Sequence, residues 1–241
     1  MIDWFGIEVF GSYCGTAPAA ATWMWQWNVD PFVVVSLVFG AMAMVRLPPR
    51  RRTAGSIAIG ALAVAFLSPL CALSVALFSA RTLHHLLLIG VAAPLFAVAL
   101  PVRARLAPNV AFALATGVLW AWHLPAAYDA ALANKAIYWA MQFSLLASAW
   151  GYWSAVRGAE APLALALVGA GAAQMGMLGA ILTFVARPLY ATHLASPVSF
   201  GIGPLADQQL AGLAMWVLGI LPYAVAGALV AVASWRRMAV A

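Results

Sequence analysis

Charges and prolines divide the chain into long apolar runs. In order these are residues 32–47, 53–79, 83–100, 108–125, 136–156, 162–186 and 208–235. A helix needs about 20 residues, at 1.5 Å rise each, to cross the hydrocarbon core of a bilayer. All the runs approach or exceed that length except the first, which is short. Apolar positions inside the runs are continuous and do not alternate with the two-residue period of barrel strands. Each run therefore predicts a helix, with a kink at Pro69 in the second and an end at Pro101 for the third. Small residues inside the spans, such as Gly169-Ala170-Gly171-Ala172-Ala173, suit close approach of membrane helices. The expected architecture is all-α: a polytopic membrane protein with residues 1–30 as an extracytoplasmic segment and residues 31–237 as a single seven-transmembrane-helix bundle.

Composition strengthens this picture. Of 241 residues, 66% are hydrophobic and 7% charged, against about 45–50% and about 25% in soluble domains. A chain so short of polar residues cannot cover itself with a hydrated surface, which excludes a soluble cytoplasmic enzyme. Disorder is excluded by the same numbers. The net charge of +6 would suggest nucleic acid in a soluble protein; in this one it sets orientation. Nine of the twelve basic residues fall at one end of the expected bundle: Arg46, Arg50, Arg51, Arg52, Arg103, Arg105, Arg157, Arg236 and Arg237. Arg81, Lys135 and Arg187 fall at the other. The positive-inside rule places the N-terminus outside and the C-terminus in the cytoplasm. Trp23, Trp25 and Trp27 then belong to the outer interfacial belt, and the first residues lack the basic start of a signal peptide.

With that orientation, all four histidines are outer. His84 and His85 open the third span, His123 closes the fourth, and His193 lies in the loop before the seventh. Asp3, Glu8, Asp30, Asp129 and Asp207 are on the same side, and Glu160 is on the other. Imidazole is the commonest metal ligand, and sulfur favours Cu(I). His85, His123, His193, Cys14, Asp207, His84 and Met215 are accordingly candidate ligands for copper, with Met24 as a further sulfur. The spacing carries no close ligand pair. Adjacent His84 and His85 point about 100° apart on a helix, so one of them is expected to face a shared interior site. Methionines at helix positions also serve packing, and Asp207 suits a helix N-terminus. Cys14 and Cys71 form no disulfide framework; a single bridge between them is possible, but nothing in the sequence calls for it. Lys135 at a span edge disfavours a retinal protein. The absence of a charge well inside any expected span gives an ion transporter no relay.

Several words in the chain form a recognisable series. Tyr13-Cys14-Gly15 and Trp27-Asn28-Val29-Asp30-Pro31 precede the first span. His84-His85-Leu86-Leu87-Leu88 leads to Ala92-Ala93-Pro94-Leu95. Trp122-His123-Leu124-Pro125-Ala126-Ala127-Tyr128 and Asp207-Gln208-Gln209-Leu210-Ala211-Gly212-Leu213-Ala214-Met215-Trp216 follow. In this order they resemble the CtaG-type cytochrome c oxidase assembly factors, multi-span proteins of the bacterial inner membrane. The resemblance implies a non-enzymatic partner of cytochrome c oxidase subunits that handles copper transiently on the outer side. This chain departs from the pattern at three places. Arg81 and the pair Met141-Gln142 stand where many members carry histidine, and Leu218 replaces a proline. Two other functions compete: a metal-free structural or accessory subunit of a respiratory complex, and a haem-binding electron carrier with His84 or His85 and His123 as axial ligands.

Overall fold

The computed structural model describes residues 12–102 and 107–239. Asp3, Glu8, Arg103 and Arg105 lie outside the described residues. The described chain is all-α: α1 (Pro31–Val45), α2 (Pro49–Leu67), α3 (Leu70–Ala76), α4 (Phe78–Leu86), α5 (Ala93–Ala99), α6 (Pro108–Ala121), α7 (Pro125–Ala133), α8 (Lys135–Gly158), α9 (Ala161–Phe184) and α10 (Pro204–Met238). Prolines open most of them, since a first-turn residue has no intrahelical acceptor for its N–H to reach. Two helices are capped by the side chain of their own N-cap residue. Asp30 accepts from Phe32 N at 2.8 Å, and Asn134 accepts from Ala136 N and Ile137 N at 2.8 and 3.1 Å.

The expected seven spans are not all continuous. Three helices are long and apolar enough to cross a membrane: Phe78–Ala99, Ala161–Phe184 and Pro204–Met238. Two bent pairs raise the number to five. Pro49–Leu67 and Leu70–Ala76 meet at 50°, and Pro108–Ala121 and Pro125–Ala133 at 73°. Each break precedes or contains a proline, which forces extended backbone on the residue before it. The kink expected at Pro69 is thus a break between two helices. Pro31–Val45 is a shorter apolar helix. Lys135–Gly158 has 24 residues, but its tyrosines, tryptophans, serines and Gln142 lower its hydropathy.

The third span differs from expectation in a way that matters. It begins at Phe78, well before residue 83, so Arg81 belongs to its first turns and is no loop residue. Arg81 is buried, a charge at the end of a span and not well inside one. Between α4 and α5 the helix widens into a π-turn, Leu87–Ala92. Pro94 lacks an N–H and would crowd the carbonyl one turn back, so the ladder shifts to the wider register there. The freed geometry is used: Trp153 Nε1 donates to the Ile89 carbonyl at 3.0 Å.

Packing is closest between α9 and α10. A Cβ on Gly212 would lie 2.6 Å from the Gly179 carbonyl oxygen, so the two backbones touch where no side chain fits. Met215 is buried in this contact beside Gly179. Residues 12–30 fold back over the bundle end. Gly15, at φ +91, makes the left-handed turn that only glycine adopts freely, and Cys14 and Cys71 are joined as a disulfide. The sequence left this bridge open, and the fold makes it. It could not be read from a separation of 57 residues, because only the fold brings Leu70–Ala76 under the N-terminal turn.

Candidate functional site

One end of the bundle gathers the polar side chains that the apolar runs exclude. Arg81, His84 and His85 share a helix at spacings of three and four residues, which sets Arg81 beside both imidazoles. His84 and His85 are both buried. Neighbouring segments cover both sides of α4, so both rings are buried although they point in different directions. The His84 ring meets Phe66 edge-on at 5.0 Å and lies 5.8 Å from the His85 ring. The His85 and His123 ring centroids are 6.5 Å apart. His123 sits at the break between α6 and α7, where its Nδ1 donates to the Leu119 carbonyl at 2.7 Å and leaves Nε2 as the lone-pair nitrogen.

The opposite wall comes from α8. Arg81 lies over the Tyr138 ring, 5.3 Å from its centroid, a cation–π placement. Gln142 follows one helical turn later and is buried. Tyr13 of the N-terminal segment stacks on Tyr138 at 5.1 Å. It donates to Asp30 at 2.8 Å and holds that carboxyl below its usual range, while burial pushes the Tyr13 phenol up. The Cys14 sulfur is 3.4 Å from the Tyr138 hydroxyl. Within the disulfide it has no thiolate to offer a metal, so its reading as a soft ligand applies only to a reduced chain.

His193 and Asp207 reach this end by another route. Asp207 is buried at the start of α10 and caps a different helix. It accepts from Phe78 N at 2.6 Å, from Ser79 N at 3.2 Å and from the Ser79 hydroxyl. The helix-cap role considered for its own helix is thus played for α4, across 128 residues of sequence. Gln208 next to it accepts from Leu189 N and donates to the Leu182 and Arg187 carbonyls. Asp129 accepts from Ala191 N, Thr192 N and the Thr192 hydroxyl. Together these pin the loop that carries His193. The Tyr128 hydroxyl donates to His193 Nε2 at 2.7 Å, and Nδ1 faces the Ala76 carbonyl at 3.4 Å. Burial, with the Arg81 guanidinium within electrostatic reach, pushes this imidazole down to about 4.

The structure therefore brings His84, His85, His123 and Arg81 to one end, with Asp207 and His193 beside them in structural contacts. Met215 is two helical turns from Asp207, about 12 Å along α10, and is packed against α9. Among the described residues no three histidine, cysteine, aspartate or glutamate side chains converge as metal ligands. The donors that do converge include a permanent cation, so the set does not fit a resident copper ion. Tyr138 and Tyr128 carried no signal in the sequence, whereas Arg81 and Gln142 stood out there only as departures from the family's histidines. The spacing of Arg81 before His84 and His85 was a second signal.

Fold and site define a class: an α-helical membrane protein whose one end encloses a histidine–arginine cluster. Within that class the chain belongs to the cytochrome c oxidase caa3 assembly factor family, whose sequence model matches residues 38–238. No curated protein and no solved structure matches the chain.

Proposed function

We propose that the protein is a non-catalytic factor that acts on cytochrome c oxidase subunits at the outer face of the bacterial inner membrane, during their maturation. Family membership supports the oxidase as partner. The observation that carries the outer-face reading is the Cys14–Cys71 disulfide. Such bridges persist in oxidising compartments and not in the cytosol, and this one closes the histidine end of the bundle. The arginine-rich loops at the opposite end agree with it by an independent rule.

In this reading copper is cargo and not a resident cofactor. His85 and His123 are the pair that could meet Cu(I) transiently, their rings 6.5 Å apart. A metal-free maturation role is favoured by a different observation: Arg81 lies one turn from His85, and a guanidinium repels an incoming cation. One experiment separates the two. A strain lacking the gene should synthesise oxidase polypeptides but show low oxidase activity, and the copper content of the purified oxidase then decides. Low copper, reproduced by His85→Ala and His123→Ala at normal membrane abundance, supports cargo handling. Normal copper with low activity supports subunit maturation alone. Normal activity in the deletion strain refutes both.

A further inference from the structure

We infer that the Arg81 cluster is a binding site for a small monovalent anion of the chloride class, held inside the histidine end of the bundle. Arg81 is 0% exposed, and none of its three guanidinium nitrogens makes a well-formed hydrogen bond among the described residues; the Tyr128 and Tyr138 hydroxyls stand near it but are neutral and bring no charge. Arginine does not shed its proton in proteins. A buried charge without a partner costs several kcal/mol even after relaxation, so a fold that hides this guanidinium needs a negative charge beside it.

No described carboxylate stands within ion-pair distance of Arg81 to supply that charge at the guanidinium itself. Asp30 is engaged by Tyr13 and Phe32, Asp129 by residues 191 and 192, and Asp207 by Phe78 and Ser79. Glu160 opens α9 at the opposite end. The neighbouring side chains repeat the pattern. Both ring nitrogens of His84, Nε2 of His85 and both amide atoms of Gln142 are buried without partners. Each of these three side chains carries at least one N–H, as does the guanidinium. An acceptor placed among them would take these N–H groups, and the guanidinium requires that it carry charge. Water would satisfy the N–H groups but leave the guanidinium unneutralised. One cation calls for one negative charge, and a second would be as exposed to desolvation as the unpaired arginine. The site is independent of the oxidase reading, and binding is measured on the protein alone.

The test uses purified full-length protein in detergent and sodium gluconate, with chloride or bromide titrated in at constant ionic strength. Thermal unfolding should show a saturable rise in midpoint. Chloride-NMR line broadening, displaced by bromide, should report the same affinity. Arg81→Gln should abolish both. Gln142→Leu, which removes one hydrogen bond to a charged group, should weaken the affinity about tenfold. Arg187→Gln, at an exposed cation outside the cluster, should leave it unchanged. If Arg81→Gln does not fold, the wild-type titration and Gln142→Leu carry the test. A wild type indifferent to halide overturns the inference, as does an Arg81→Gln protein with undiminished binding. An Arg81→Met protein as stable as wild type in every salt overturns it too, since the charge would then have needed no occupant.

Discussion

Replacing Asp207 by alanine removes three hydrogen bonds that hold α10 to the first turn of α4. The carboxylate is 0% exposed and accepts from two backbone N–H groups and one hydroxyl. Bonds to a charged acceptor contribute about 1.5–3 kcal/mol each, which would sum to about 5–9 kcal/mol. The sum overstates the effect, because contacts to one carboxylate are not independent. The truncation leaves the Phe78 and Ser79 N–H groups at a helix start without acceptors, a penalty of about 1–3 kcal/mol apiece. We expect Asp207→Ala to cost about 3–5 kcal/mol, a large part of a typical total of about 5–15 kcal/mol. Asp207→Asn should cost less, since one oxygen remains while its amide faces a donor. Reversible unfolding in mixed detergent micelles measures the loss, and immunoblots of membranes report abundance. A variant within about 0.5 kcal/mol of wild type and normally abundant would refute the cap. If such a variant also failed to mature the oxidase, Asp207 would be a functional residue and not a structural one.

The His193 imidazole is held neutral in the fold at about 4, against 6.5 when unfolded. A depressed imidazole contributes stability that is full above about 6.5 and falls as pH drops towards 4; the loss amounts to about 3 kcal/mol. His193→Gln should flatten that part of a stability–pH curve, and an unchanged slope would show that another group titrates. Cys14→Ser with Cys71→Ser opens a loop of 57 residues and should lower stability by about 4 kcal/mol on the chain-entropy account. Maleimide labelling should find no thiol in the unreduced wild type and two after reduction. A reporter fused after Arg237 should be cytoplasmic and one within residues 194–205 external; the reverse result would move the histidine cluster to the wrong side for the proposed function.

The apolar runs alone determined that the chain is helical and embedded in a membrane, because apolar content and run length decide partition into a bilayer without reference to any long-range contact. Charge placement along the chain likewise gave an expected orientation, and the ordered words around His84, His123 and Asp207 pointed to the family. Span counting was less secure. Whether Pro69 and Pro125 merely kink a span or break it depends on what packs against the freed backbone, which a linear pattern does not contain. The site was legible only in outline. His85 and His123 were expected at the same end, and their rings lie 6.5 Å apart. Arg81 looked like a loop cation, because hydropathy ends a span at the first charge; in the fold Tyr138 covers it and α4 runs on through it. Asp207 and Cys14 drew attention as ligands because carboxylate and sulfur are chemically able to bind metal. Tertiary structure assigned them to Phe78, Ser79 and Cys71, partners that lie from 57 to 129 residues away. Those contacts exist only once α3, α4 and α10 meet at one end of the bundle, and no local spacing encodes that meeting.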